Sequence, residues 1–340
     1  MRLRVGLIGL GDGWQNRHAP ALRALADRFE VRAICEQVAH RAEQVAADFD
    51  AAPVDGYRAL CAREDIDVVL ILAPQWYGAL PILAACESGK AVYCAAGLDL
   101  EPEEAQTVKH RVEESGIAFM AEFPRRYASA TLRLKELIAT RLGRPRILFC
   151  HQRSPAPILS NHVGHREPHH AALRDLVELV DWCSYVVDRP PTGVTGLVHR
   201  SLIDGCVEED YHMMSLDFSD PAAPGTGPVA QISCGRYIPS PWQEAISYRP
   251  LAALQVSCDD GIAFVDLPSA LVWFDEAGRH QESLDSERPV GEQLLTQFHR
   301  AVTSLVRKTS DLEEAYRALL IVQEARRSHV EGRRIPLGPS

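Results

Sequence analysis

One rhythm dominates the first 122 residues: a short run of apolar residues with almost no polar side chain inside it, then an amphipathic stretch, then another run. LRVGLIG (3–9) gives way to PALRALADRF, EVRAICE (30–36) to AHRAEQVAADF, DVVLILA (67–73) to YGALPILAACESG, and AVYC (91–94) to PEEAQTVKHRVEESG, before IAFMAEF closes the series. A strand that is wet on one face alternates polar with apolar residues, whereas a strand apolar throughout is covered on both faces. Helices between such strands make parallel crossovers. The N-terminal part is therefore expected to be α/β, a doubly wound parallel sheet of the Rossmann type covering 1–122.

Beyond residue 123 the rhythm breaks. A helical YASATLRLKELIATRLG leads to RILFCHQR, and then EEDYHMMSLDFS, VAQISCGRY, LAALQVSCDDG and IAFVDLPSALVWFDE follow with turn residues between them. Strands in succession without helices between them read as antiparallel. Residues 123–340 are expected to form an α+β domain with a mostly antiparallel sheet, one internal helix over 170–187 and a final helix at about 290–331. The stretch PAAPGTGP (221–228) reads as a loop between strands.

The chain is 340 residues long, enough for two cores. Its net charge of -10 repels nucleic acid and anionic membranes, which excludes both as partners. No apolar run is long enough to span a bilayer and the first strand begins at once, so the expected location is cytoplasmic. The nine cysteines are scattered singly without a C-x-x-C pair, the pattern of small core residues rather than of a disulfide or zinc framework.

Directly after the first strand comes G-L-G-D-G, with Gly9, Gly11 and Gly13, and a helix follows. Glycines there let the chain turn tightly and let backbone N–H groups approach a diphosphate at a helix N-terminus. Glu36, at the end of the second strand, is placed to accept from both ribose hydroxyls of an adenosine. The expected cofactor is NAD, with NADP disfavoured because Glu36 repels a 2'-phosphate. In a strict G-x-G-x-x-G the third glycine falls at Trp14, so the turn carries a displaced glycine. Asp12 adds a negative charge there, tolerable if it points away or pairs with Arg17.

Several motifs together resemble the Gfo/Idh/MocA family, the glucose-fructose oxidoreductase and inositol dehydrogenase-like proteins. They are GLGDGWQNRHAPAL (9–22), DVVLILAP ending at Pro74, GKAVYC (89–94), the Arg125-Arg126-Tyr127 of FPRRYASATLRLKELI, LGRPR (142–146) and the final helix. The resemblance spans nearly the whole chain. It implies a second domain whose large open sheet mediates a homodimer or homotetramer, and oxidation or reduction of a secondary carbinol in a sugar, cyclitol or related small molecule. It adds Pro74 and Tyr93 to the expected cofactor contacts alongside Trp14.

The same resemblance exposes departures. The family's Glu-Lys-Pro motif reads Ala95-Ala96-Gly97 here, so the usual catalytic lysine is missing. Its Asp-x-x-x-His pair maps to Arg174 and Glu178 in one register and to Asp175 and Leu179 in the next, and the histidine four residues beyond Pro74 is Gly78. Proton transfer must accompany hydride transfer at an alcohol carbon, so other groups are needed. Arg174, Glu178, Asp181 and Tyr185 share one face of the 170–187 helix, either a functional stripe or a solvated one held by an Arg174–Glu178 pair. His162, His165, His169 and His170 lead into it and read as a polar active-site loop, a metal site or a solvated segment. The candidate acids and bases are Glu178, His165, His169 and His170, with Arg174 and Asp181 beside them. Arg125, Arg126, Tyr127 and His162 are expected at the substrate. Three functions stay open: an oxidoreductase with a rebuilt site, a catalytically silent relative serving as sensor or oligomer partner, and a redox-neutral lyase or hydrolase using bound NAD.

Overall fold

A computed structural model describes all residues except 96–97, 99, 157–167, 204–205, 239, 243, 246–247, 249–251, 305–309 and 339–340. Two compact units emerge, Met1–Pro124 with Arg288–Tyr316, and Arg125–Glu287 with Arg317–Ser340.

The first unit carries a six-stranded sheet built from β1 (Leu3–Ile8), β2 (Phe29–Cys35), β3 (Ala52–Pro53), β4 (Val68–Ile71), β5 (Ala91–Cys94) and β6 (Phe119–Ala121). The order is β3-β2-β1-β4-β5-β6 and every pairing is parallel. Every residue of β4 and β5 is buried, as strands covered on both faces must be. The crossovers are α1 (Ala19–Ala24), α2 (Ala39–Phe49), α3 (Tyr57–Cys61), α4 (Pro74–Tyr77), α5 (Leu80–Glu87) and α6 (Pro102–Ser115). α6 shows how local chemistry sets its bounds: Pro102 opens it with Glu103 and Glu104 in the first turn, and Gly116 ends it at φ 62°. The order reverses between β1 and β4, and in open sheets of this kind ligands bind outside the carboxyl ends at that point.

The second unit starts with α7 (Ser129–Leu137), β7 (Pro145–Pro155) and α8 (Pro168–Val187). It continues through β8 (Gly193–Ile203), β9 (Cys206–Asp217), β10 (Val229–Ile238), β11 (Leu254–Cys258), β12 (Ile262–Asp266), β13 (Ala270–Asp275) and β14 (Gly278–Ser283). Two helices, α9 (Val290–Thr303) and α10 (Ser310–Glu331), and the short β15 (Ile335–Pro336) close the chain. The nine-stranded sheet runs β14-β13-β12-β11-β7-β10-β9-β8-β15, antiparallel except where β10 meets β7. Its registers divide the side chains cleanly. Leu148, Cys150, Ile232, Met214, Leu254, Val256 and Leu271 are buried on one face, against which α7 and α8 pack. The opposite face leaves Ile147, Leu197, Val229 and Phe274 partly exposed.

The expected architecture holds, with three differences. The single closing helix is two, and α9 belongs to the first unit, where Leu294, Leu295 and Phe298 are fully buried and Phe298 meets the ring of Tyr93 at 5.5 Å. Periodicity reveals an apolar face but not which sheet it will cover. The strands β8 and β14 carry no strong apolar signal: β8 is interrupted by Gly193, Gly196, His199 and Arg200, and β14, GRHQES, lies at the sheet's edge with no buried residue. Finally, IAFVDLPSALVWFDE is two strands paired as a hairpin. All eight described cysteines are buried, and none of them forms a disulfide. Among the described residues no helix is long and apolar enough to cross a membrane.

Candidate functional site

The first unit's candidate site is made by main chain. Gly9 and Gly11 stand at φ 67° and 58°, where a side chain is strained. A β-carbon on Gly11 would collide with the carbonyl oxygen of Leu72, and one on Gly9 would come within 2.5 Å of the Ala73 side chain. The turn after β1 thus presses directly on the end of β4. The Gly9 amide donates to the Cys35 carbonyl at 2.8 Å, but the amides of Gly11, Asp12 and Gly13 donate to nothing among the described residues. A π-helical turn, Trp14–His18, follows at once and runs into α1. Successive unpaired N–H groups ahead of a helix form an anion cradle, so these residues fit a dinucleotide diphosphate.

Glu36 stands beside this turn. Its Oε2 accepts from the Leu10 amide at 2.9 Å and its Oε1 from the Gln37 amide at 2.8 Å. A carboxylate has about four acceptor positions, so two remain for ribose hydroxyls after the loop has been held. Asp12 is exposed and Arg17 does not pair with it; Arg17 instead donates to Glu122. Trp14 is 2% exposed and packs against Phe49 of α2 at 5.7 Å, which sets its ring in the core rather than in the cradle. Tyr93 is fully enclosed between His18 and Phe298, a core position instead of a cofactor contact. Pro74 is buried at the first position of α4, and Gly78 ends that helix at φ 60°.

In the second unit, side chains rather than backbone do the assembling. α8 is buried nearly all round, with Leu176, Leu179, Val180, Trp182 and Cys183 all at 2% or less. Asp181 turns inward, where Arg126 grips both its oxygens, one through Nε at 2.6 Å and the other through Nη2. Arg126 also lies over the ring of Tyr185, 5.4 Å from its centre. Asp181 therefore anchors α8 to the segment that follows β6, and its carboxylate is committed. Glu178 pairs with Arg125 at 3.3 Å and not with Arg174, which makes no ion pair among the described residues. The second nitrogen of Arg125 donates to Gln152 of β7 at 2.6 Å, and the guanidinium lies 5.4 Å from the Trp182 ring centre. Tyr127 is half-buried.

Two residues that sequence reading passed over, Gln152 and Arg236, join this patch together with Asp175, the aspartate of the second register. Gln152 sits opposite Cys234 in the β7–β10 register, and two residues further along, Arg236 donates to Asp175 of α8 at 2.6 Å. The Nε of Arg236 is buried without a partner among the described residues. The face that begins as Leu148 and Ile232 thus ends as Gln152 and Arg236, opposite Asp175 and Glu178 of α8. A change from apolar to polar along the buried face of two adjacent strands is a usable signal, but it needs their pairing to be known.

His162 and His165 lie outside the described residues, as do Ala96 and Gly97, and so do the side chains of His169 and His170 in the first turn of α8. Among the described residues no group of three metal-ligating side chains exists.

A parallel sheet in this order, a glycine turn with open amides and an acid at the end of the second strand together define a dinucleotide-binding Rossmann domain. Residues 3–123 match the GFO_IDH_MocA model, described as an oxidoreductase family with an NAD-binding Rossmann fold. An inositol 2-dehydrogenase of Saccharopolyspora erythraea is 31% identical over 157 residues, 46% of this chain and 46% of that protein. A D-xylose 1-dehydrogenase (NADP(+)) of Haloferax volcanii is 30% identical over 142 residues, 42% of this chain and 43% of that protein. The matches thus span under half the length of these curated relatives. The solved structure of levoglucosan dehydrogenase in complex with NADH and levoglucosan superposes with a TM-score of 0.82 over 100% of both chains at 18% identity, which shows a shared fold.

Proposed function

We propose that the chain is an NAD-dependent oxidoreductase acting on a sugar, cyclitol or similar polyhydroxylated small molecule. The observation that carries this reading is the cradle of unpaired amides at Gly11, Asp12 and Gly13 beside the carboxylate of Glu36. NAD is preferred over NADP because Glu36 repels a 2'-phosphate, although a relative such as the Haloferax volcanii enzyme is named for NADP(+). When bound, the nicotinamide supplies the hydride acceptor. The chain's own residues hold the diphosphate at 11–13 and the ribose at Glu36.

In the second unit, Glu178 accepts the hydroxyl proton while Arg125, Gln152 and Arg236 orient the substrate. With Asp175 counted, two guanidiniums and two carboxylates cancel around the amide of Gln152, and such a neutral array suits a polyol, which offers a donor and an acceptor at each carbon. His162, His165, His169 and His170 remain candidates for the same proton transfer. A second reading, a catalytically silent relative that binds the nucleotide, is favoured by Ala95, buried where the resemblance places the segment with the missing lysine. We also infer that the open face of the nine-stranded sheet, with Ile147, Leu197, Val229 and Phe274 uncovered, mediates a homodimer or homotetramer.

Titration with NADH and NADPH by calorimetry tests the cofactor reading. NADH binds at least about tenfold more tightly, and Glu36→Gln narrows that ratio. Binding of neither nucleotide sinks it. Turnover of NAD with inositol, xylose or levoglucosan, slowed about a hundredfold in Glu178→Gln, supports the enzyme. Tight binding with no turnover supports the silent relative, and turnover without net NADH supports a redox-neutral enzyme.

A further inference from the structure

The end of β6 holds a carboxylate that no part of the proposed chemistry uses. Glu122 is 1% exposed, and its amide extends the β5–β6 pairing by donating to the Cys94 carbonyl at 2.9 Å. Burial pushes such a carboxyl toward its neutral form. Here His18 and then Arg17 outweigh burial and hold it at about 2. The carboxylate has no proton to give, so the 2.9 Å contact between His18 Nε2 and Glu122 Oε2 is a donation from the imidazole. Arg17 donates to the other oxygen.

Both partners belong to the π-helical turn that follows the glycine cradle, and both reach back to it. The amides of Arg17 and His18 donate to the Gly13 carbonyl at 2.9 and 3.1 Å. The His18 ring lies against Gly13, since a β-carbon there would stand 3.0 Å from Cε1. His18 Nδ1, beside the same glycine, has no partner among the described residues. On another side, α9 brings Gly291 so near that a β-carbon on it would come within 2.6 Å of the Arg17 carbonyl oxygen. The first helical turn is thus held by Glu122 through two side chains and by α9 through close contact. His18, Arg17 and the Gly13 peptide link Glu122 to the open amides.

We propose that Glu122 is a positioning residue for dinucleotide binding: by gripping Arg17 and His18 it fixes Gly13 and its neighbours at the spacing a diphosphate needs. This rests on the nucleotide reading above. A charge with two donors inside the protein defines one geometry, and a neutral amide with a donor of its own does not reproduce it.

The test compares NADH with adenosine, which reaches Glu36 but has no diphosphate, on the full chain and on Glu122→Gln. Calorimetry measures NADH, and displacement of NADH measures adenosine. The expected result is NADH binding weakened about tenfold or more while adenosine affinity stays within about twofold, because only the diphosphate contacts move. Hydrogen exchange of the amides at 13–18 accelerates in the same variant. Unchanged NADH affinity overturns the proposal, and so does equal weakening of both ligands, which marks general loosening. If the variant does not fold, Arg17→Gln, at a more exposed partner, is measured identically and follows the same rule with a smaller effect. If the unaltered chain binds no nicotinamide nucleotide, the nucleotide reading itself fails, and that outcome is seen before any variant is made.

Discussion

The two candidate regions are built by opposite means. In the first unit the cradle at 9–13 is main chain, five consecutive residues of which the last three keep open amides, because glycines allow the turn and Leu72 and Ala73 leave no room for side chains. In the second unit the patch is all side chain, gathered from Arg125, Gln152, Asp175, Glu178 and Arg236, with more than a hundred residues between the first and last. A site made of backbone survives changes in most of its side chains but fails when a single glycine gains an atom. A site made of distant side chains depends on the ion pairs that hold its elements in register.

That contrast is broken most severely at Asp181. Replacing it by alanine leaves Arg126 buried without its partner, which is expected to cost about 3–5 kcal/mol, read as a lower midpoint in urea unfolding. The dinucleotide affinity of the molecules that stay folded should be unaltered. A stability loss below about 1 kcal/mol would show that the pair does not hold α8. The converse experiment is Gly11→Ala. Its added carbon collides with the Leu72 carbonyl at a φ of 58°, so NADH binding should weaken about a hundredfold while the second unit keeps its protection against hydrogen exchange. Unchanged NADH affinity would mean that the cradle is not the diphosphate site. The smallest effect concerns the second unit's other face. Ile147→Asp sets a charge on the exposed side of β7, and association measured by light scattering should weaken about tenfold. A chain that is monomeric without any substitution removes the sheet face as an interface.

How much could be read in advance follows the same division. Gly9, Gly11, Gly13 and Glu36 were legible because the strand, turn and helix they serve are contiguous, and the second strand follows directly. Trp14 and Tyr93, expected near the cofactor, are core residues: an aromatic beside a glycine turn, or within a strand buried on both faces, looks the same in sequence whichever way it points. The helical stripe of Arg174, Glu178, Asp181 and Tyr185 was visible as a period, but its partners were not. Arg174–Glu178 was the local pairing on offer, and Arg125 and Arg126, arriving from 50 or so residues upstream, took Glu178 and Asp181 instead. Glu122, the one charge in IAFMAEF, carries no sequence signal of the partners it takes in the fold.

By itself, the order of residues determined the parallel sheet, its glycine turn and the change to an antiparallel sheet, because hydrophobic period and turn chemistry act between near neighbours. Only the tertiary structure decided that α9 serves the first unit, that Asp181 faces inward, and that a buried Glu122 grips the turn carrying the cradle. Each of those depends on which surfaces meet after the chain has collapsed, and the free energy of burying a charge is set by what surrounds it, not by what precedes it in the chain.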